Sequence, residues 1–279
     1  MNASALNRVI DIHAHAGPDS LPRKIDALDL ARMARDLGMR GIVFKNHFEP
    51  TASLANLVRK EVPEIAAFGG VTLNASVGGM NPAAVEHMAS VTGGWGRFVW
   101  MGSFDTETQV RYDGGNRPFV SVSRCGELLP QAKDVMGVVA KYDLVLATGH
   151  STPEEALMLI REGNAQGVRH IVVTHAMMAP IHMSPDQMCE AASLGAYIEF
   201  AYNGLIGPHK EFDFPDYAKA IRTVGASRCV LVSDLGQTAN PPHPDGLLAF
   251  FTGLRNEGLS ETELDFMSKE NPARLLRLD

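Results

Sequence analysis

The chain has 279 residues, 45% of them hydrophobic, with 25 basic against 32 acidic side chains and a formal net charge of −7. An acidic balance with scattered lysines and arginines excludes a nucleic-acid partner held through phosphate contacts, and no apolar run approaches the roughly 20 residues of a membrane span. The start Met1-Asn2-Ala3-Ser4-Ala5-Leu6-Asn7-Arg8 lacks the pattern of a secretory signal, and Cys125, Cys189 and Cys229, odd in number and far apart, read as thiols of a reducing, cytoplasmic compartment.

Apolar runs of strand length alternate with amphipathic stretches. Val9–His15 reads as the first strand and ends in two histidines one residue apart. Residues i and i+2 of a strand share a face, so His13 and His15 project side by side. Asp26–Leu37 follows as a helix, with Leu28, Leu30, Met33, Ala34 and Leu37 at helical spacing. Gly41–His47 is the second strand, with Lys45 and His47 on one face; Ile65–Asn74 and Arg97–Phe104 are the third and fourth. Glu107–Gly126 shows no helical pattern and reads as an inserted loop on the catalytic face. Leu144–His150 is the fifth strand, with a helix at Pro153–Glu162 behind Ser151-Thr152; His170–His175 is the sixth, with a helix at Pro185–Leu194 behind Ser184. Tyr197–Asn203 and Val230–Asp234 complete eight strands, and Glu261–Leu278 reads as one or two closing helices interrupted near Asn271-Pro272. Gly38, Gly163, Gly167, Gly195 and Gly225 fall where helices should end.

Eight βα units with continuous Val/Ile/Leu/Phe strands predict a single domain over residues 1–279, an α/β protein folded as a (β/α)8 TIM-type barrel with C-terminal closing helices. A doubly wound open sheet is the rival, but the glycine-rich turn expected after its first strand is replaced by His13-Ala14-His15-Ala16-Gly17-Pro18. Barrel sites form at the C-terminal strand ends, where His13, His15, His150, His175 and Asp234 all fall. Four imidazoles and a carboxylate at one mouth suffice for one or two divalent ions. Asn203 and Asn74, at the ends of the seventh and third strands, are placed to hydrogen-bond a substrate. Arg117 and Arg124, in or just after the insert, are candidates for a substrate carboxylate. His182, His209 and His243 lie on loops facing the mouth, whereas His87 and His170 read as surface or packing residues.

This set resembles the amidohydrolase superfamily, which carries His-x-His on strand one, a histidine on each of strands five and six, and an aspartate on strand eight. The matching positions are His13, His15, His150, His175 and Asp234. The tail Asn271-Pro272-Ala273-Arg274-Leu275-Leu276 also resembles that family's Asn-Pro-Ala-x-x-Leu closing segment. Within the family the chain is similar to an uncharacterised amidohydrolase-like branch. The resemblance implies a metal-dependent hydrolase holding one or two divalent ions, zinc or manganese first among them. Binuclear members usually add a bridging lysine carbamate or glutamate, often on strand four. The fourth strand here has neither, which leaves Lys45 as the candidate carbamate bridge or a substrate-binding cation, and His47 as an extra ligand, a substrate contact or a proton shuttle.

The chemistry expected of such a site is attack by metal-activated water on a small amide, cyclic amide or lactone. Asp234 serves as general base and then acid, and His175 polarises the carbonyl where it is not a full-time ligand. Two alternatives stand beside it: a metal-dependent decarboxylase of a small unsaturated or aromatic acid on the same scaffold, and a barrel that only binds. The partner expected is a small-molecule substrate, and barrels of this kind often pair into homo-oligomers.

Overall fold

The computed structural model describes residues 6–278; residues 1–5, part of the stretch read for a secretory signal, lie outside the described residues. In chain order the elements are β1 (Ile10–Ala14), α1 (Ala27–Asp36), β2 (Gly41–Phe44), α2 (Ala52–Glu61), β3 (Ala66–Thr72), α3 (Pro82–Ala89) and β4 (Gly96–Trp100). An insert follows, made of α4 (Glu107–Tyr112) and a hairpin of β5 (Ser123–Arg124) and β6 (Glu127–Leu128). Then come α5 (Pro130–Lys141), β7 (Val145–Ala147), α6 (Pro153–Ala165), β8 (His170–Val173), α7 (Pro185–Ser193), β9 (Tyr197–Ala201), α8 (Phe214–Val224), β10 (Cys229–Val232), α9 (His243–Asn256), α10 (Glu261–Asp265) and α11 (Asn271–Leu276).

The eight long strands pair in the order β1-β2-β3-β4-β7-β8-β9-β10, and every ladder between them is parallel. The edges β1 and β10 meet through Asp234 N–H to His13 O at 2.9 Å and His15 N–H to Leu235 O at 2.9 Å. Ser233 N–H also donates to the Asp11 carboxylate at 3.1 Å. The result is the expected (β/α)8 barrel. Strand pleating sorts the apolar side chains between two clusters. Val43, Phe68, Phe98, Trp100, Val145, Val172, Val230 and Val232 pack together in one. Their neighbours Ile42, Phe44, Val99, Leu146, Val173 and Leu231 pack in the other, together with buried helix residues such as Leu30, Val135 and Ile160. Trp100 of the first cluster lies beneath the mouth, its ring 6.1 Å from that of His13 and 5.5 Å from Lys45 Nζ.

Local chemistry explains the helix starts. Asp26 accepts from Asp29 N–H at the head of α1, and Thr152 and Ser184 head capping boxes with Glu155 and Gln187. Gly38, Gly167, Gly195 and Gly225 have positive φ just past helix ends, as expected. Gly163 does not: it lies inside α6, where a Cβ would come within 3.1 Å of Ile171 Cδ1. Its smallness serves close helix–strand packing rather than capping. The insert also departs from expectation, because Glu107–Tyr112 is helical. Six residues with one buried side chain, Val110, carry no readable periodicity; the Thr106 cap on Gln109 N–H and the Glu107–Arg111 pair support the turn instead. The closing helices are α10 and α11, joined by a π-helical turn at Phe266–Glu270 rather than by a break at Asn271-Pro272. Asn271 is fully buried, and its side-chain amide donates to Ala226 O and Cys229 O at 3.0 and 2.8 Å. That bond pair pins the closing segment to the start of β10.

Candidate active site

The strands stop before most of the chemistry begins. β2 ends at Phe44, β7 at Ala147, β8 at Val173 and β10 at Val232, so Lys45, His47, His150, His175 and Asp234 sit on the first residues after the ladder. His175 and Asp234 have φ of +23° and +48°, a conformation that non-glycine residues seldom adopt and that the packed surroundings must enforce. Gly149 prepares His150 in the same way: its φ is +61°, and a Cβ there would lie 2.3 Å from Gly102 O.

One half of the site joins β1 to β10. Asp234 Oδ1 lies 3.1 Å from His13 Nε2 and 3.2 Å from His15 Nε2. These three ligand atoms all fall within 4.8 Å of one another, and all three residues are buried. His13 Nδ1 donates to Glu199 Oε1 at 2.9 Å, which turns Nε2 inward toward Asp234 and Lys45. Burial and Lys45 pull the His13 pKa down, but Asp234 and Glu199 outweigh them and raise it to about 9. Burial drives His15 down to about 3. Burial alone would raise Asp234, yet the two histidines hold it well below the usual carboxylate range.

The other half joins β7 to β8. His150 Nε2 and His175 Nε2 face each other at 3.1 Å. His150 Nδ1 contacts Gln109 Oε1 at 2.7 Å, and the Gln109 amide N–H donates to Asp113 at 2.8 Å. The Gln109 oxygen is therefore the acceptor, and His150 turns a lone pair inward at Nε2. His175 Nδ1 is buried with no partner among the described residues, while its backbone N–H donates to Glu199 Oε1 at 3.0 Å. Burial lowers His175 to about 4 and His150 well below its ordinary value. Lys45 stands between the halves, 2% exposed, with Nζ 3.0 Å from His13 Nε2; burial lowers its pKa.

His47 is sandwiched between the rings of His15 and Phe104, at centroid distances of 4.7 and 3.9 Å. Its Nδ1 lies 2.8 Å from Ser103 Oγ, and burial holds its pKa well below the ordinary histidine value. Asn203 donates to Asp234 Oδ2 at 3.3 Å and accepts from Asn240 at 3.0 Å, so it orients the aspartate. Asn74 is used by the loops after β2 and β4 rather than by the open mouth.

The remaining candidates make contacts within the chain. Arg117 clamps its own insert, paired with Asp105 at 2.6 Å and bonded to Phe104 O. Arg124 is exposed on the hairpin, whose neighbouring Ser123 bonds Glu155 at the start of α6. His182 pairs with Glu211 on the surface at 2.9 Å. His243 is buried and bonds Leu235 O at 2.8 Å, bracing the turn after Asp234. The guanidinium that does reach the cluster is Arg23, whose Nη2 makes a long 3.4 Å contact with His15 Nδ1 while Asp19 holds it at 2.7 Å. The sequence reading assigned no role to Arg23, Glu199, Ser103 or Gln109. Glu199 left a signal, as a lone charge within the apolar run Tyr197–Ala201; the other three left none.

A family of unknown function, DUF6282, matches residues 8–199, and no curated protein matches the sequence. Among solved structures the chain is similar to an amidohydrolase from Pseudomonas aeruginosa, at 13% identity and a TM-score of 0.66, covering 99% of this chain and 98% of that one. A resiniferatoxin-binding protein from Rhodobacter sphaeroides matches at 18% identity and a TM-score of 0.65, covering 99% and 92%. The 2,6-dihydroxybenzoate decarboxylase from Rhizobium matches at 16% identity and a TM-score of 0.58, covering 98% and 99%. These likenesses show the fold, a (β/α)8 barrel shared over nearly the whole of each chain. Among the described residues, no helix is long and apolar enough to cross a membrane.

Proposed function

We propose that this chain, which belongs to the DUF6282 family of unknown function, is a metal-dependent hydrolase of a small amide, cyclic amide or lactone. The observation that carries the reading is the buried trio of His13, His15 and Asp234, with ligand atoms within 4.8 Å of one another at the C-terminal mouth of a barrel. The donor set suits a divalent ion. His13 and His150 turn Nε2 inward because Glu199 and Gln109 take up their Nδ1 edges, so that an ion would only have to displace the proton His13 shares with Asp234, and His175 presents its own Nε2 to the same space beside His150. Zinc and manganese both accept imidazole and carboxylate ligands. An ion held there supplies Lewis acidity, acidifying water and polarising a carbonyl.

The chain's own groups divide the remaining work. Asp234, anchored through Oδ2 by Asn203, takes a proton from the attacking water and returns it to the leaving group. His175 completes the metal site from β8 or polarises the substrate carbonyl. Lys45 would be a metal ligand only as a carbamate, formed when its neutral amine, which burial favours, adds CO2 and releases a proton; otherwise it is a cation that holds substrate.

The test is elemental analysis of the purified and reconstituted protein. About two divalent ions per chain, falling to about one in Lys45→Ala, supports the bridged hydrolase. Unchanged stoichiometry in Lys45→Ala removes the bridge, and no bound metal in the wild type overturns the reading. A decarboxylase is the second reading, favoured by a fourth barrel strand, Gly96–Trp100, that carries no metal-ligating side chain. Release of CO2 on turnover would select it.

A further inference from the structure

The hydrogen-bond network behind His47 fixes more than its position. Asn74 is fully buried, and all four of its side-chain bonds are made. Its Oδ1 accepts from the backbone N–H groups of Ser103 and Asp105 at 2.8 and 3.3 Å. Its Nδ2 donates to His47 O at 2.8 Å and to Ser103 Oγ at 2.9 Å. Backbone donors and a backbone carbonyl therefore set which end of this amide is oxygen, and flipping it would oppose like groups at three points. Ser103 is also fully buried. Since Ser103 Oγ already accepts from Asn74, the hydroxyl proton has one acceptor within reach among the described residues, His47 Nδ1 at 2.8 Å. The alternative, a His47 Nδ1–H donating to Ser103, would leave a buried hydroxyl proton unpaired, which is costly.

His47 Nδ1 is thus an acceptor, and the imidazole proton sits on Nε2. That edge faces away from Ser103 and has no protein partner among the described residues, in a residue that keeps 6% of its surface open. The ring cannot swing to seek another contact, because His15 and Phe104 hold its two faces. We propose that His47 is a catalytic hydrogen-bond donor, whose Nε2–H binds the substrate oxygen on which negative charge develops, and that Ser103 and Asn74 are the positioning residues that lock its tautomer. The inference rests on the hydrolase reading for the identity of that oxygen, but the tautomer stands independently. It also removes His47 from the metal ligands, since coordination through Nε2 would require the lone pair that the network denies it. A preset donor of this kind favours an oxyanion because no reorganisation is needed as charge appears.

The experiment uses the full-length protein with 15N-labelled histidine, metal-free and zinc-loaded, with His47 assigned through its loss in His47→Gln. Long-range proton–nitrogen NMR should give a protonated Nε2 and an unprotonated Nδ1 in both forms. Ser103→Ala should release the tautomer toward a mixture. Inorganic phosphate is the oxyanion probe. Its affinity for the zinc-loaded protein should fall roughly tenfold in His47→Phe, where the ring stays stacked but the donor is gone. In His47→Gln, whose amide N–H falls near the imidazole Nε2–H, the affinity should recover in part. Zinc content should be the same in all three. A protonated Nδ1, a zinc-induced change at Nε2, or unchanged phosphate affinity in His47→Phe would overturn the proposal. Failure of the wild type to bind zinc would instead strike the hydrolase reading and leave the tautomer result intact.

Discussion

The two histidine pairs at the barrel mouth are built on opposite plans. His13 and His15 share a carboxylate, Asp234, and His13 is backed by a second, Glu199. Among the described residues, no carboxylate bonds the rings of His150 and His175: His150 leans on the neutral Gln109 amide, and the two Nε2 atoms face each other at 3.1 Å. The first pair lies on the seam where β1 meets β10, backed by Glu199 of β9, with Arg23 and His47 from neighbouring loops against His15. The second depends on α4, which belongs to the insert. A cation is stabilised where negative charge is fixed nearby, so on the proposed metal-dependent reading the seam pair is the half expected to hold a divalent ion more firmly. On the same reading the β7–β8 pair, which offers neutral imidazoles, should hold one less tightly.

The largest effect should therefore come from the seam. Asp234→Asn removes the charge shared by both histidines while keeping the shape. Metal affinity should drop by more than ~100-fold, the upper end of what even a supporting residue costs, and turnover should vanish with circular dichroism unchanged. His175→Ala should weaken metal binding far less. Titration of both variants with zinc checks the ranking, and an equal loss in the two would erase the distinction between the halves.

Glu199→Gln is the next step down. Oε1 is the atom that accepts from both His13 Nδ1–H and His175 N–H, and the amide retains that oxygen. The geometry survives and only the charge is lost, so zinc affinity should fall by roughly tenfold, the lower end of the range for such partners. No change would mean that Glu199 serves the β8 turn and not the metal.

These residues also mark what the chain made legible. All eight barrel strands and the five residues His13, His15, His150, His175 and Asp234 could be placed from apolar runs, because period-2 burial and strand-end position are local properties. The partners of those residues could not. Glu199 meets His13 across 186 positions, and Gln109 reaches His150 from a helix too short to announce itself by periodicity. Nor does the sequence mark Arg23, since distance from a strand end says nothing of where a loop folds back. In the structure a bridge pairs Arg23 with Gln237, on the loop after β10. Strand ends were also overextended, because the mouth residues continue the apolar pattern while leaving the ladder.

The smallest effect expected is at Arg117, and it tests how far the β7–β8 half depends on its insert. Arg117 is 43% exposed and pairs with Asp105, which also accepts from Ala75 N–H at 3.0 Å. An ion pair so open to water contributes about 1 kcal/mol or less. Removing it in Arg117→Ala should lower the melting temperature by no more than about 2 °C in a chain of this size. Phosphate affinity and zinc content should hold, because Phe104 stays in place against His47 through the ring stack and α4 keeps its own Thr106 cap. Should zinc content fall in this variant, the insert's hold on Gln109 would run through Arg117. Should phosphate affinity fall instead, Arg117 would bind the anion itself, and the assignment of the mouth's guanidinium to Arg23 would have to be reversed.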